Sequence, residues 1–285
     1  MIREKAWAKL NLNLHVLPKR GYNALYPVHF INCQLDLHDE LLFKKNKNGI
    51  EIVWQNPQVP KEKNLIYKAA MLLKKEVSTN GLGSQITLKK IIPVKAGFGG
   101  GSSDASKTLK GLMKLWKIDL PFDTVLNFAK HLGKDVYYCL QEGLCEVCGY
   151  GEQVSQLLYR LPTLWLLIVV PKQEKPSTQW MYEHLDPKKI GKNLDKLEKL
   201  KSALKLQNRE KLLDSLFNDF EDLAELYFPE VKYIKKKLYE LGAVRALMAG
   251  SGLSMIGFFK SQDQLGRAYC KLVSQHKAVL QTKTR

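Results

Sequence analysis

No uninterrupted apolar run in this chain approaches the ~20 residues that a membrane-spanning helix requires. The longest, Leu164 to Val170, has the length and branching of a buried strand. Cysteine is scarce, with five in 285 residues. That odd number, without a secretory context, excludes a disulfide scaffold and places reduced thiols in a cytoplasmic compartment. Cys145 and Cys148 have metal or redox spacing, yet no second pair accompanies them and His131 is the nearest histidine in the chain. They read instead as small apolar side chains in the alternating stretch Leu144 to Cys148. The opening residues, Met1 to Lys5, are charged and polar, so no signal peptide is expected. Internal repeats and low-complexity segments are missing too.

Acidic residues are outnumbered, 28 Asp and Glu against 45 Lys and Arg, for a net charge of +17. Such a surplus suits nucleic acid, an anionic membrane or anionic small molecules. The distribution favours the last. In the densest region, Lys188 to Lys211, the lysines alternate with Leu194, Leu197, Leu200 and Leu204 at helical spacing, the pattern of a solvated helix face. Lys235 to Lys237, between Ile234 and Leu238, has the same character. No nucleic-acid-binding module is recognisable. A hydrophobic content of 45% is ample for buried cores, and the length suits one large or two medium domains. The expected division is residues 1–157 and 158–285, with Leu161-Pro162 just ahead of the apolar strand.

The two best-known phosphate loops, Gly-x-x-x-x-Gly-Lys-Ser/Thr and Gly-x-Gly-x-x-Gly, do not open any helix here. What is present is Pro93-Val94-Lys95-Ala96-Gly97-Phe98-Gly99-Gly100-Gly101-Ser102-Ser103-Asp104. Gln85 to Leu88 alternates before it as a strand does, and Ala105, Leu109, Leu112, Met113 and Trp116 recur after it at helical spacing. Glycines admit an anion to the backbone N–H groups, and the first turn of a helix adds partial positive charge, so the stretch reads as a cradle for a nucleotide triphosphate. The plain alternative is a tight turn with Ser102, Ser103 and Asp104 as helix caps. A second glycine-rich turn, Met248-Ala249-Gly250-Ser251-Gly252-Leu253-Ser254, lies ahead of the strand-like Met255 to Phe259. Both turns are expected to face one ligand.

Further motifs accompany these in order along the chain: Ala8-Lys9-Leu10-Asn11-Leu12-Asn13-Leu14, Gly21-Tyr22, Asn64-Leu65, Leu132-Gly133-Lys134-Asp135-Val136, Gly149-Tyr150-Gly151-Glu152, Ser177-Thr178-Gln179-Trp180-Met181-Tyr182 and Gly250-Ser251-Gly252. Together they resemble the GHMP small-molecule kinases. The ordered set is similar to the members that act on 4-diphosphocytidyl-2-C-methyl-D-erythritol, rather than on mevalonate, homoserine or galactose. The resemblance implies an α+β, two-domain fold, with a ribosomal-protein-S5-domain-2-like N-terminal domain, a ferredoxin-like C-terminal domain and the active site in the cleft between them. It implies ATP and Mg²⁺ as cofactors, a cytidine diphosphate alcohol as substrate, and a monomer or weak homodimer without nucleic-acid or membrane partners. Sibling kinase activity on another small alcohol, or nucleotide binding without catalysis, are the alternatives.

By the same resemblance Asp135 is the catalytic base and Lys9 its partner, while Pro93 to Ser103 wraps the ATP phosphates. Asn64, Leu65 and the neighbourhood of Lys95 line the adenine side. Tyr22 and Tyr182 would face the cytosine ring, with Asn23 at its edge and Asn11 and Thr178 near the polar groups of the erythritol arm. Ser103 is the candidate Mg²⁺ ligand, and the comparable reading of Asp104 is that it instead caps the following helix. Without the resemblance, Asp135 reads as an N-cap or a surface ion pair, Tyr22 as core and Tyr182 as part of a helix face. The chain departs from the family at Asn23, where His is usual, at Lys95, where Gly or Ala is usual, at Tyr150, where Arg is usual, and at Ala249, where Ser is usual.

Overall fold

Along β1 (Ile2–Val16) apolar side chains recur at every second residue, from Ala6 through Leu10 and Leu14 to Val16. The alternate set, Lys9, Asn11, Asn13 and His15, is polar and yet also buried. Successive side chains of a strand point to opposite faces, so one face of β1 packs as core while the other lines up buried polar groups. The computed structural model describes residues 1–19, 25–47, 49–55, 57, 59–77 and 81–285.

Two compact units are present, and they interleave along the chain. One comprises Met1–Ala8, Leu37–Val94 and Gly99–Glu142, the other Lys9–Asp36, Lys95–Phe98 and Gly143–Arg285. The expected boundary at residues 157–158 falls inside the second unit. The long strands β1 and β2 (Val28–Lys45) each contribute residues to both units, which a single cut in the sequence has no means to express.

In the first unit the later half of β2 pairs antiparallel with β4, and β4 pairs in parallel with β3 (Ile50–Trp54). Helix α1 (Leu65–Glu76) precedes β4 (Ser84–Lys89), which leads toward α2 (Gly100–Trp116), α3 (Phe122–Leu132) and α4 (Lys134–Gln141). Helix α2 packs on α1 and α4. It approaches the sheet closely at Gly111, where a Cβ would sit 2.5 Å from the Phe43 ring.

In the second unit the early half of β2 pairs antiparallel with β5 (Cys145–Cys148), which forms a hairpin with β6 (Gln153–Gln156). The apolar run forms β7 (Trp165–Val170), followed by α5 (Thr178–Glu183), α6 (Asp195–Lys205), α7 (Arg209–Asp214), β8 (Phe217–Asn218), α8 (Glu221–Tyr227) and α9 (Pro229–Glu240). The chain closes with β9 (Arg245–Met248), β10 (Met255–Phe259), α10 (Gln262–Leu272) and β11 (Ala278–Lys283). An antiparallel sheet of order β11-β7-β10-β9 carries α9 and α10, and β8 adds in parallel to the end of β1 through Asn13–Phe217 and Leu14–Asn218. Cys145 is buried, its thiol pushed up to about 11 by burial. Cys148 lies with His29 and Glu146 on one face of the β2–β5 pair, where Lys201 neutralises Glu146. No helix among the described residues is long and apolar enough to cross a membrane.

Candidate active site

In the first unit, α2 begins without a side-chain cap. Gly99 occupies the N-cap in the left-handed region, at φ 65°, and no side chain accepts from the first-turn amides. Ser103 N donates to Gly99 O at 2.9 Å as the first intrahelical bond. The N–H groups of Gly100, Gly101 and Ser102 therefore precede the helical ladder and point out of the helix start, the arrangement that binds phosphate. This corrects the capping alternative for Ser102, Ser103 and Asp104. Asp104 is turned away instead, onto Lys90.

Lys90 Nζ donates to Asp39 Oδ2 and Asp104 Oδ2, both at 2.6 Å, and Asp39 Oδ1 also accepts from the backbone of Ile91 and Ile92. Burial pushes the Asp104 carboxyl up to about 7 against the pull of Lys90, with Asp39 adding to the rise. Burial works against the charge of Lys90, yet Asp104 and Asp39 hold its pKa above the usual lysine value. The strand end, the segment after it and the first turns of α2 are thereby tied together. Asn64 caps α1, accepting from Ile66 N at 2.9 Å, with Leu65 the first residue of that helix. Asn64 also borders a cavity of about 920 Å³ lined by Ile50, Ile52, Trp54, Val59 and Pro60.

Asp135 is the second residue of α4, whose N-cap is Gly133 without a side-chain bond. It is thus not a cap. Its carboxylate stands in the first turn, where a helix favours negative charge.

In the second unit the polar face of β1 forms a relay. Lys9, 5% exposed, donates from Nζ to Asn11 Oδ1 at 2.8 Å, and Asn11 Nδ2 donates to Asn32 Oδ1 at 2.7 Å. Asn13 Oδ1 accepts from Ile31 N at 3.0 Å. These bonds fix each amide orientation and hold the Lys9 ammonium in place.

The residues preceding α2 join this unit. Lys9 N donates to Phe98 O at 2.9 Å. Gly97, at φ 95°, passes so near the second glycine turn that a Cβ there would lie 2.0 Å from Ala249 O, and a Cβ on Gly252 would lie 2.7 Å from Ala96. Gly250, at φ 55°, brings the same turn against Asn11 and Lys9, with its Cβ position 3.3 Å from Lys9 Nζ. Asn218 Nδ2 donates to Met248 O and Gly250 O and braces the turn. The two glycine turns thus pack backbone on backbone. Lys95, at φ 60° and exposed, adds its charge to the surroundings of Glu174.

Thr178 opens α5 behind the Ser177 cap, which accepts from Trp180 N. Tyr182 stacks with Tyr26 at 6.0 Å between ring centroids and meets Phe220 edge-on at 4.8 Å. Lys175 Nζ donates to the Ser251 carbonyl, to Ser251 Oγ and to Thr178 Oγ1. Burial, with repulsion from Lys9, brings its pKa down to about 8.

The GHMP kinases N terminal domain matches residues 64–143, and the GHMP kinases C terminal domain matches residues 195–278. A 4-diphosphocytidyl-2-C-methyl-D-erythritol kinase of Bacillus cereus (strain AH187) is 35% identical over 268 residues, covering 93% of this chain and 90% of that protein. The chain belongs to the GHMP kinases. The crystal structure of a 4-(cytidine 5'-diphospho)-2C-methyl-D-erythritol kinase aligns at TM-score 0.84 and 29% identity over 99% of both chains. A homoserine kinase from Cytophaga hutchinsonii aligns at 0.71 and 17% identity, over all of this chain and 94% of the other, a likeness of fold alone.

The protein thus has the two-domain α+β fold of the GHMP kinases, and it is a kinase with ATP as phosphoryl donor. Within the second unit the structure brings together Lys9, Asn11, Thr178, Ala96, Gly97 and Phe98. Within the first it assembles the helix start from Gly99 to Ser103. Tyr22 and Asn23 lie outside the described residues. Sequence reasoning missed Lys175 and the Lys90 pair of ion bonds. Lys175 sits in a stretch without periodicity, and Lys90 meets carboxylates 51 and 14 positions away. Only the short spacing from Lys175 to the Ser177-Thr178 helix start offered a signal.

Proposed function

We propose that this kinase transfers the γ-phosphoryl group of ATP to the 2-hydroxyl of 4-diphosphocytidyl-2-C-methyl-D-erythritol, giving the 2-phosphate and ADP in the non-mevalonate route to isoprenoid precursors. The observation that carries this reading is the likeness, over 93% of the chain, to an enzyme named for that substrate. The local chemistry agrees with it. Phosphoryl transfer is accelerated mainly by positioning and by offsetting charge on the phosphoryl oxygens.

The amides of Gly100, Gly101 and Ser102 supply fixed donors for ATP phosphates, and the cavity beside Asn64 and Trp54 takes the adenine. Asp135 accepts the proton of the substrate hydroxyl as its oxygen attacks the γ-phosphorus and the bond to the departing ADP oxygen breaks. Lys9, oriented through Asn11 and Asn32, offsets the developing oxyanion charge. Thr178 and Tyr182 hold the cytidine substrate together with Tyr22 and Asn23.

The donors near the helix start suit a hard divalent cation, since the buried Ser103 hydroxyl stands in its first turn and the second oxygen of Asp104, Oδ1, is buried without a partner. Ser103 would hold Mg²⁺ together with ATP oxygens, and the ion would neutralise phosphate charge. With this function go a cytoplasmic location, a monomer or weak homodimer, and a positive surplus that serves anionic small molecules rather than nucleic acid or membrane.

The test is ADP release with Mg-ATP and four acceptor conditions: the diphosphocytidyl alcohol, mevalonate, homoserine and none. Turnover is expected with the first alone. Asp135→Asn should lower kcat by roughly 10³-fold or more while ATP affinity changes little. Turnover on mevalonate or homoserine instead would move the chain to a sibling specificity, and near-normal turnover of the variant would remove Asp135 from the role of base.

A further inference from the structure

Lys175 has no part in the roles assigned above, and its surroundings are unusual for a half-buried ammonium. Three other buried or half-buried lysines meet carboxylates: Lys90 meets Asp39 and Asp104, Lys107 meets Glu142, and Lys235 meets Glu221 and Glu225. The three acceptors of Lys175 are uncharged, being the carbonyl and hydroxyl of Ser251 and the hydroxyl of Thr178. The adjacent Glu174 is taken by Lys277 at 2.6 Å. Lys9, whose charge acts on Lys175, is of the same sign.

A half-buried ammonium held by uncharged acceptors within reach of a like charge is unfavourable, and an anion seated beside Lys175 would relieve it. The two hydroxyls are the donors such an anion would meet. A hydroxyl that accepts from an ammonium has its own O–H left as a donor. Lys175 thus gathers two such hydroxyls, Ser251 Oγ and Thr178 Oγ1, around one ammonium. Ser251 belongs to the turn that touches Lys9 and Asn11, and Thr178 opens the helix that bears Tyr182.

We propose that Lys175 is a positioning residue for the substrate's diphosphate, aiming the Ser251 and Thr178 hydroxyls at it and, with Lys9, supplying the positive charge that selects a diphosphate-linked alcohol over an uncharged one. This inference rests on the substrate class proposed above. It adds a residue and a physical basis for selectivity. No bond changes at this seat.

The test separates the diphosphate from the base and sugar. CDP and cytidine are titrated calorimetrically into the full chain with saturating ADP, for wild type, Lys175→Met and Lys175→Arg. Lys175→Met, which keeps the aliphatic stem, should weaken CDP roughly 10- to 100-fold and cytidine less than about twofold. Lys175→Arg should restore most of the CDP affinity. In turnover, the KM for the diphosphocytidyl substrate should rise in Lys175→Met, while kcat and the KM for ATP stay within about threefold.

Equal weakening of CDP and cytidine, unchanged CDP affinity, or an equal rise in both KM values would overturn the proposal. If Lys175→Met fails to fold, as its melting curve would reveal, Thr178→Val removes one of the two donors. The same selective loss for CDP, at smaller size, is then expected, and its absence counts against the seat. Failure of wild-type turnover would tell against the substrate assignment, whereas the CDP and cytidine titrations judge the seat itself.

Discussion

Two regions of this molecule, both proposed above to meet phosphate, are constructed in opposite ways. In the first unit the start of α2 presents backbone N–H groups behind a left-handed glycine, and the nearby cation, Lys90, is fully consumed by Asp39 and Asp104. In the second unit the polar face of β1 and the turn at Gly250 gather Lys9 and Lys175, and the latter bonds to uncharged oxygens. The backbone device carries no net charge and needs only glycines and a helix. The side-chain device sets Lys175 among uncharged acceptors within reach of the like charge of Lys9. A donor nucleotide used by every kinase of this type can be held by main chain, whereas choice among acceptors calls for side chains that differ from one enzyme to the next.

That contrast can be broken most severely at Lys90. Lys90→Met would leave two buried carboxylates facing each other, and a loss of about 3–5 kcal/mol in unfolding free energy is expected. Denaturant unfolding would measure it, and a loss below about 1 kcal/mol would mean that Lys90 is not the clamp of the phosphate helix.

The glycines sharpen the comparison at intermediate size. Gly97→Ala places a Cβ 2.0 Å from a backbone oxygen at a positive φ, and about 2–4 kcal/mol should be lost with kinase activity. Gly101→Ala meets nothing nearer than Leu65 at 3.6 Å. It should leave stability unchanged or raise it by about 0.5–1 kcal/mol, while raising the KM for ATP because the new methyl group obstructs phosphate. Similar stability losses in both variants would dissolve the distinction between a glycine required by packing and one required by the ligand.

The smallest expected effect is a pH profile. The positive form of Lys175 is lost as pH rises through about 8. The groups that act on it are Lys9 from β1 and, beside it, Glu174 in its pair with Lys277, with Lys95 in the surroundings of Glu174. Ser251 and Thr178 do not titrate. CDP affinity should therefore hold from pH 6.5 to 7.5 and fall about tenfold by pH 9.5, whereas the Lys175→Arg variant should stay level because arginine keeps its charge. A falling limb that survives in the arginine variant would assign it to another group.

Much of this was legible before the structure. The alternation in Gln85–Leu88 and the helical period after Ala105 frame the glycine loop correctly, since β4 and α2 lie where the periodicity puts them. The apolar run became β7, and Met255–Phe259 became β10. Less legible was the function of individual polar residues. Asp104 looked like a cap because Asp near a helix start usually is one, yet the helix begins at Gly100, and Asp104, a full turn in, faces Lys90. Asn64 was expected beside adenine and proves to be a helix cap as well as a wall of the cavity. Lys175 carried no periodicity, only its short spacing to the Ser177-Thr178 helix start.

By itself the sequence determined what depends on neighbours along the chain: which segments are strands and helices, where glycine permits a left-handed turn, and which ordered motifs mark a GHMP kinase. Tertiary structure alone decided which charges are matched. Lys90 and Asp39 are 51 residues apart, Asn11 and Asn32 are 21 apart, and Lys175 and Ser251 are 76 apart. Periodicity is a local property of a chain, whereas the free energy of a buried charge depends on whatever the fold brings within a few ångströms of it.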